Sequence, residues 1–147
     1  MPEEEPIERA REDEREGLSP STQAGEFVRE EMEHIREGEH GARSPEQAIA
    51  IGLSKARRAG VKLPPPRRGK ARTKRQAKRD LAKGRRPQKP SRRRSRAVRG
   101  ALKRESRRSA SRRALSQHAK RAARRRSAAS RSAAARKAAQ TRKRRRR

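Results

Sequence analysis

Between Leu18 and Leu63 apolar residues recur at helical spacing, and turn residues stand where the ends of helices would fall. Ala24, Phe27, Val28, Met32 and Ile35 lie at i, i+3, i+4, i+8 and i+11, a single stripe. Ser19-Pro20 in front of it supplies an N-cap and a first-turn proline, whose missing N–H costs nothing there, and Gly38 follows it. The pattern predicts a helix over about 20–37. Ser44-Pro45-Glu46-Gln47 then forms a capping box, in which the Ser44 hydroxyl accepts from the Gln47 N–H and the Gln47 side chain reaches back to Ser44. Ile49, Leu53 and Ala56 make the inner stripe, widened by Ala48, Gly52 and Ala59, and Gly60 is placed as a left-handed terminator. A second helix is expected over about 45–59.

The short connection Gly38–Arg43 makes the pair an antiparallel helical hairpin, residues 19–63, with Phe27, Val28, Met32, Ile35, Ile49 and Leu53 as its core. Gly52 costs roughly 1 kcal/mol relative to Ala in a helix interior. Its expected return is close approach of the first helix, with Phe27 over it. So small a core predicts a hairpin that is marginal alone, completed by a second copy or by a partner.

No stripe exists on either side of the hairpin. Residues 1–18 form an acidic arm, expected to be disordered. From Pro64-Pro65-Pro66 onward there are strong helix formers, yet basic residues occupy every face. The expected fold class is therefore mostly disordered with a small all-α element, followed by a basic tail over 64–147 whose helix propensity phosphate neutralisation would realise.

Charge sharpens that division. Residues 1–46 carry a net −9 and residues 47–147 a net +39, within a chain of 147 residues and net charge +30. The tail holds 28 Arg and 9 Lys against Asp80 and Glu105 alone. That is far more than a localisation signal requires, so a polyanion is the expected partner. Duplex DNA is favoured over structured RNA, because one Phe and no Trp or Tyr leave nothing for bases to stack on. The nucleic-acid-binding set is Lys55, Arg57, Arg58 and Lys62 on the hairpin, then Arg67, Arg68, Arg85, Arg86, Arg92, Arg93, Arg94, Arg124, Arg125, Arg126, Arg144, Arg145, Arg146 and Arg147 in the tail. Their spacing encodes no base readout. The mode expected is phosphate neutralisation with little sequence preference, as in nucleoid-associated or histone-like proteins. A structured-RNA or ribosome binder, and a protein-interaction module tethered by a basic tail, are the alternatives. The acidic arm, tethered near the tail, would compete with phosphate. Serines embedded in arginine, Ser95, Ser106, Ser109, Ser127 and Ser130, read either as basic-context phosphorylation sites or as flexible spacers.

Other chemistries find little support. No Cys is present, which excludes disulfides and thiolate sites. No nucleophile, base and orienting group form a recognisable set, so neither an enzyme nor a cofactor is expected. His34, His40 and His118 with Glu33, Glu37 and Glu39 do not predict a metal site: His34 and Glu37 are read as facing solvent and His40 as lying in a loop. Neither a secretory leader nor a membrane-length apolar run is evident, so a cytoplasmic protein associated with the nucleoid is expected, without membrane contact.

The stretch "SPEQAIAIGLSKARRAGVKLP" resembles a signature of small bacterial basic proteins that carry a domain of unknown function. The matching positions are Gln47, Ala48, Ile49, Ala50, Ile51, Gly52, Leu53, Ser54, Ala56 and Arg57. Some proteins of that kind are labelled DNA-binding or plasmid-stabilisation, so the resemblance implies a nucleic-acid partner without implying a mechanism. The tail is similar in composition to the C-terminal domain of linker histones.

Overall fold

The computed structural model describes residues 4–146. Among these it contains seven α-helices, one 3-10 turn and no strand: α1 (Glu4–Arg15), α2 (Pro20–Glu37), α3 (Pro45–Arg58), α4 (Ala71–Arg85), α5 (Arg92–Lys103), the 3-10 turn (Arg107–Ala110), α6 (Arg112–Arg124) and α7 (Ala128–Arg145). The chain falls into two compact units, one ending at Ser111 and the other beginning at Arg112.

α2 and α3 occupy the two stretches marked by the apolar pattern, and both begin at the serines expected to cap them. The Ser44 hydroxyl accepts from the Gln47 N–H at 3.2 Å. Gln47 Oε1 accepts instead from the Arg43 N–H at 2.6 Å, one residue earlier than a reciprocal box would place it. Gly38 ends α2 at φ +87°, and its N–H and that of Glu39 satisfy the final carbonyls. The helices meet across Gly52, where a Cβ would lie 2.7 Å from Val28 Cα. The close approach is thus to Val28 and not to Phe27. It also selects which face of α3 is innermost: Ala48, Gly52 and Ala56 are buried, whereas Ile49 and Leu53 are half-buried on the flank.

The expectation of a mostly disordered chain is overturned at both ends of the hairpin. The acidic arm forms α1, which buries Pro6 and Ala10 and sets Ile7 against the cluster of Ala24, Phe27, Ala56 and Val61. Arg9 pairs along α1 with Glu5 and reaches Glu26 of α2 at 3.7 Å. Acidic residues therefore occupy the outer faces of a helix whose inner face is apolar. The basic segment is helical as well, for two different reasons. α4 docks on α3 through a stripe of Ala77, Asp80 and Gly84, the last so tight that a Cβ there would collide with the Arg57 carbonyl oxygen. Helices α5, α6 and α7 bury no residue and rest on helix propensity and local capping, the Ser91 and Ser127 hydroxyls each accepting from an N–H of the first turn.

The end of α5 and the segment after it also close on the hairpin. The Gly41 N–H donates to the Leu102 carbonyl at 2.9 Å, the Ala42 N–H to that of Ser106 at 3.1 Å, and Arg36 Nε to that of Ala110 at 3.0 Å. A side chain at position 41 would strike the Glu105 backbone, so glycine is required there. The faces of the hairpin are thus covered within the chain by α1, α4 and the 3-10 turn.

Candidate nucleic-acid interface and the charge clusters behind it

Cations expected to act alike in the sequence take two different positions in the structure. On the hairpin, most are engaged with partners inside the chain. Arg57 is buried, donating from Nε to the Leu63 carbonyl at 3.1 Å and from Nη2 to that of Pro64 at 3.1 Å, so it anchors the turn into the proline triplet. Burial lowers its pKa from the usual guanidinium value, and the carboxylate of Asp80 opposes that shift. Arg58 Nε donates to Asp80 Oδ1 at 2.9 Å. Lys55 Nζ lies 2.7 Å from Glu31 Oε2. Lys62 is solvent-exposed, with its nearest acidic partner, Glu14 of α1, at 3.8 Å.

The tail cations are exposed. Arg67 and Arg68 follow the proline triplet, Arg85 ends α4 and Arg86 caps it, and Arg92, Arg93 and Arg94 form the first turn of α5. Arg92 and Arg93, with Arg96, Ala97, Gly100 and Arg104, line a shallow concavity along one face of that helix. In the second unit Arg124, Arg125 and Arg126 run from the end of α6 into the next turn, and Arg144 and Arg145 end α7 with Arg146 as its cap. Arg147 lies outside the described residues. Ser106 and Ser127 cap helical turns and Ser109 is buried, so these serines have structural work beyond that of flexible spacers.

Two residues outside the expected binding set organise the clusters. Asp80, 1 % exposed, accepts from Ser54 Oγ at 2.7 Å, Arg58 Nε at 2.9 Å and Gln76 Nε2 at 3.1 Å. A lone aspartate among so many cations, four residues after a glutamine on a helix, is the signal that could have found it. Glu31 is fully buried between Lys55 and His40, whose Nε2 is 3.0 Å from Glu31 Oε1. Its position is legible too: Phe27, Glu31 and Ile35 are spaced by four along α2, so Glu31 belongs to the apolar stripe. His34 shares that side of the helix and is buried, correcting the expectation that it faces solvent; Glu37 is exposed. Glu31, His34 and His40 each place a ligand-capable atom within 4.8 Å of the others.

Residues 20–68 match a family of unknown function (DUF6496). The matched segment contains α2, α3, the capping box and the turn anchored by Arg57, and it stops short of α4. It fits the resemblance to a domain of unknown function seen in the sequence and brings no activity with it. No curated protein and no solved structure matches the chain. No described helix is long and apolar enough to cross a membrane.

Proposed function

We propose that the protein is a non-enzymatic binder of duplex DNA that neutralises phosphates with little sequence preference, in the manner of nucleoid-associated proteins. The observation that carries this reading is the state of α5, α6 and α7: they hold six, five and seven basic residues, contain no acidic residue and bury no side chain. Cations laid out on preformed helices lose less backbone entropy on binding than a disordered polycation would. Arginine predominates among them, which favours bidentate phosphate contacts and insertion into narrow minor grooves. A helix with its side chains is about 10–12 Å across, close to the width of a B-DNA major groove. The folded hairpin acts as the scaffold, since its cations are largely committed to internal partners.

The test is the salt dependence of duplex affinity for the full-length chain, with structured RNA as competitor at matched phosphate concentration. Contact with on the order of ten phosphates gives a log–log slope of about −9. A slope near zero rejects the proposal, and preferential displacement by RNA moves the assignment from DNA to RNA.

A further inference from the structure

We propose that Glu31, His34 and His40 form a binding site for a divalent transition-metal ion of the zinc type, built into the joint between α2 and the loop that leads to α3.

The donor set is two imidazoles and one carboxylate, a combination borderline-soft divalent ions favour over magnesium or calcium. Glu31 and His34 stand three residues apart on one face of the last turns of α2, and His40 comes from the loop beyond Gly38, whose left-handed φ of +87° turns the chain back. One ligand-capable atom from each lies within 4.8 Å of the others. Closing those edges to the roughly 3.3 Å of a tetrahedral site requires side-chain movements of up to about 1.5 Å.

The hydrogen bonding of His40 supplies an independent reason. Its Nδ1 is 3.0 Å from the Gly41 carbonyl oxygen, which can only accept, so Nδ1 carries the proton. In the neutral ring Nε2 is then an unprotonated acceptor 3.0 Å from Glu31 Oε1, a buried oxygen that accepts no hydrogen bond. Two acceptors at that separation in a buried site need a cation between them, a proton or a metal ion. An imidazole whose other nitrogen donates to a backbone carbonyl is also the arrangement that orients histidine ligands in metal sites. Lys55 occupies Glu31 Oε2 at 2.7 Å, leaving Oε1 as a single-atom ligand. Local charge favours the metal. Glu30 and Glu31 lie against Lys55, and Glu39 Oε2 is 3.9 Å from His34 Nδ1, so carboxylates surround the three ligands.

The ion would act on the loop. Gly41 and Ala42 hold the end of α5 and the segment after it through the Leu102 and Ser106 carbonyls, so fixing His40 to α2 fixes the contact on which they rest. This inference does not depend on the DNA-binding proposal, and its test contains no nucleic acid.

The full-length chain, freed of metal by chelator, is titrated with Zn2+ against a chromophoric competitor in the presence of excess Mg2+. One equivalent is expected to bind saturably and to raise the thermal midpoint. His34→Gln and His40→Gln each weaken uptake by at least about 100-fold, beyond the roughly 10–100-fold lost when only an outer partner of a ligand is removed. His118→Gln, in the other compact unit, leaves uptake unchanged. Circular dichroism without metal checks that each variant folds. Co2+ bound to the unaltered chain gives a readout that needs no variant: intense ligand-field bands of a low-coordinate nitrogen-ligated ion are expected. Absence of stoichiometric Zn2+ uptake by the folded chain, uptake unaffected by both α2 and loop substitutions, or a Co2+ spectrum like that of the hydrated ion overturns the proposal.

Discussion

Helices α4 and α7 each carry seven basic residues, yet one is part of a packed unit and the other buries nothing. The difference lies in three positions. α4 places Ala77, Asp80 and Gly84 on one face, small enough for α3 to come into contact, with a carboxylate where α3 presents Ser54 and Arg58. α7 has alanines in abundance but no acid, so nothing offsets the cost of bringing its cations against another basic helix. Among the basic helices α4 to α7, the one that buries residues is the one that carries an acid.

The strongest way to break that contrast is to remove its acid. Asp80→Ala leaves Ser54, Arg58 and Gln76 without their acceptor and is expected to destabilise the first unit by about 2–3 kcal/mol, the scale for losing hydrogen bonds to a buried charged group when the cationic partner, Arg58, stays half in water. Equilibrium urea unfolding measures it, with loss of helix signal from α4; an unchanged midpoint would show that α4 docks by shape alone. Gly52→Val attacks the other close approach, where Val28 Cα leaves no room for a Cβ. A loss of about 2 kcal/mol is expected from overpacking, read from the same urea transition. Ser44→Ala removes the cap of α3 and should cost about 1 kcal/mol, with Ser44→Asp restoring most of it. At the other extreme, Arg144→Ser combined with Arg145→Ser on α7 should change stability by no more than about 0.5 kcal/mol. On the proposed function, the same pair lowers the steepness of the salt dependence of DNA affinity by about 0.9 for each phosphate that is no longer neutralised.

The parts of the fold that can be read from the sequence are those written in apolar residues and turn chemistry. Ser19-Pro20, Ser44-Pro45 and the left-handed glycines Gly38 and Gly60 delimit α2 and α3 because capping is local and needs no knowledge of the rest of the chain. The docking of α4 is hidden because Ala77 and Gly84 add almost nothing to a hydropathy pattern, and Asp80 stands among cations on either side. α1 is obscured in the same way: Pro6, Ile7 and Ala10 make a narrow apolar face that its glutamates outnumber. Among the candidate binding residues, Arg57, Arg58 and Lys55 cannot be told from the tail arginines, since charge alone does not reveal whether a partner lies within reach; Arg58 has its partner in Asp80 and is still exposed. The buried histidine escapes notice for a related reason: the apolar members of the α2 stripe dominate its pattern, although Glu31 and His34 interrupt it at positions that point inward.

Asp80 lies twelve residues beyond the last position of the segment that matches a known family, and yet it receives the Ser54 hydroxyl and the Arg58 guanidinium from inside that segment. α1, on the N-terminal flank, supplies Ala10 and Ile7 to the cluster around Phe27. The family segment is therefore not self-sufficient in this chain. It borrows an acid from one flank and an apolar face from the other, so a fragment cut at residues 20–68 would expose the seams of a larger assembly, and the flanks are fitted to it by shape as well as by charge.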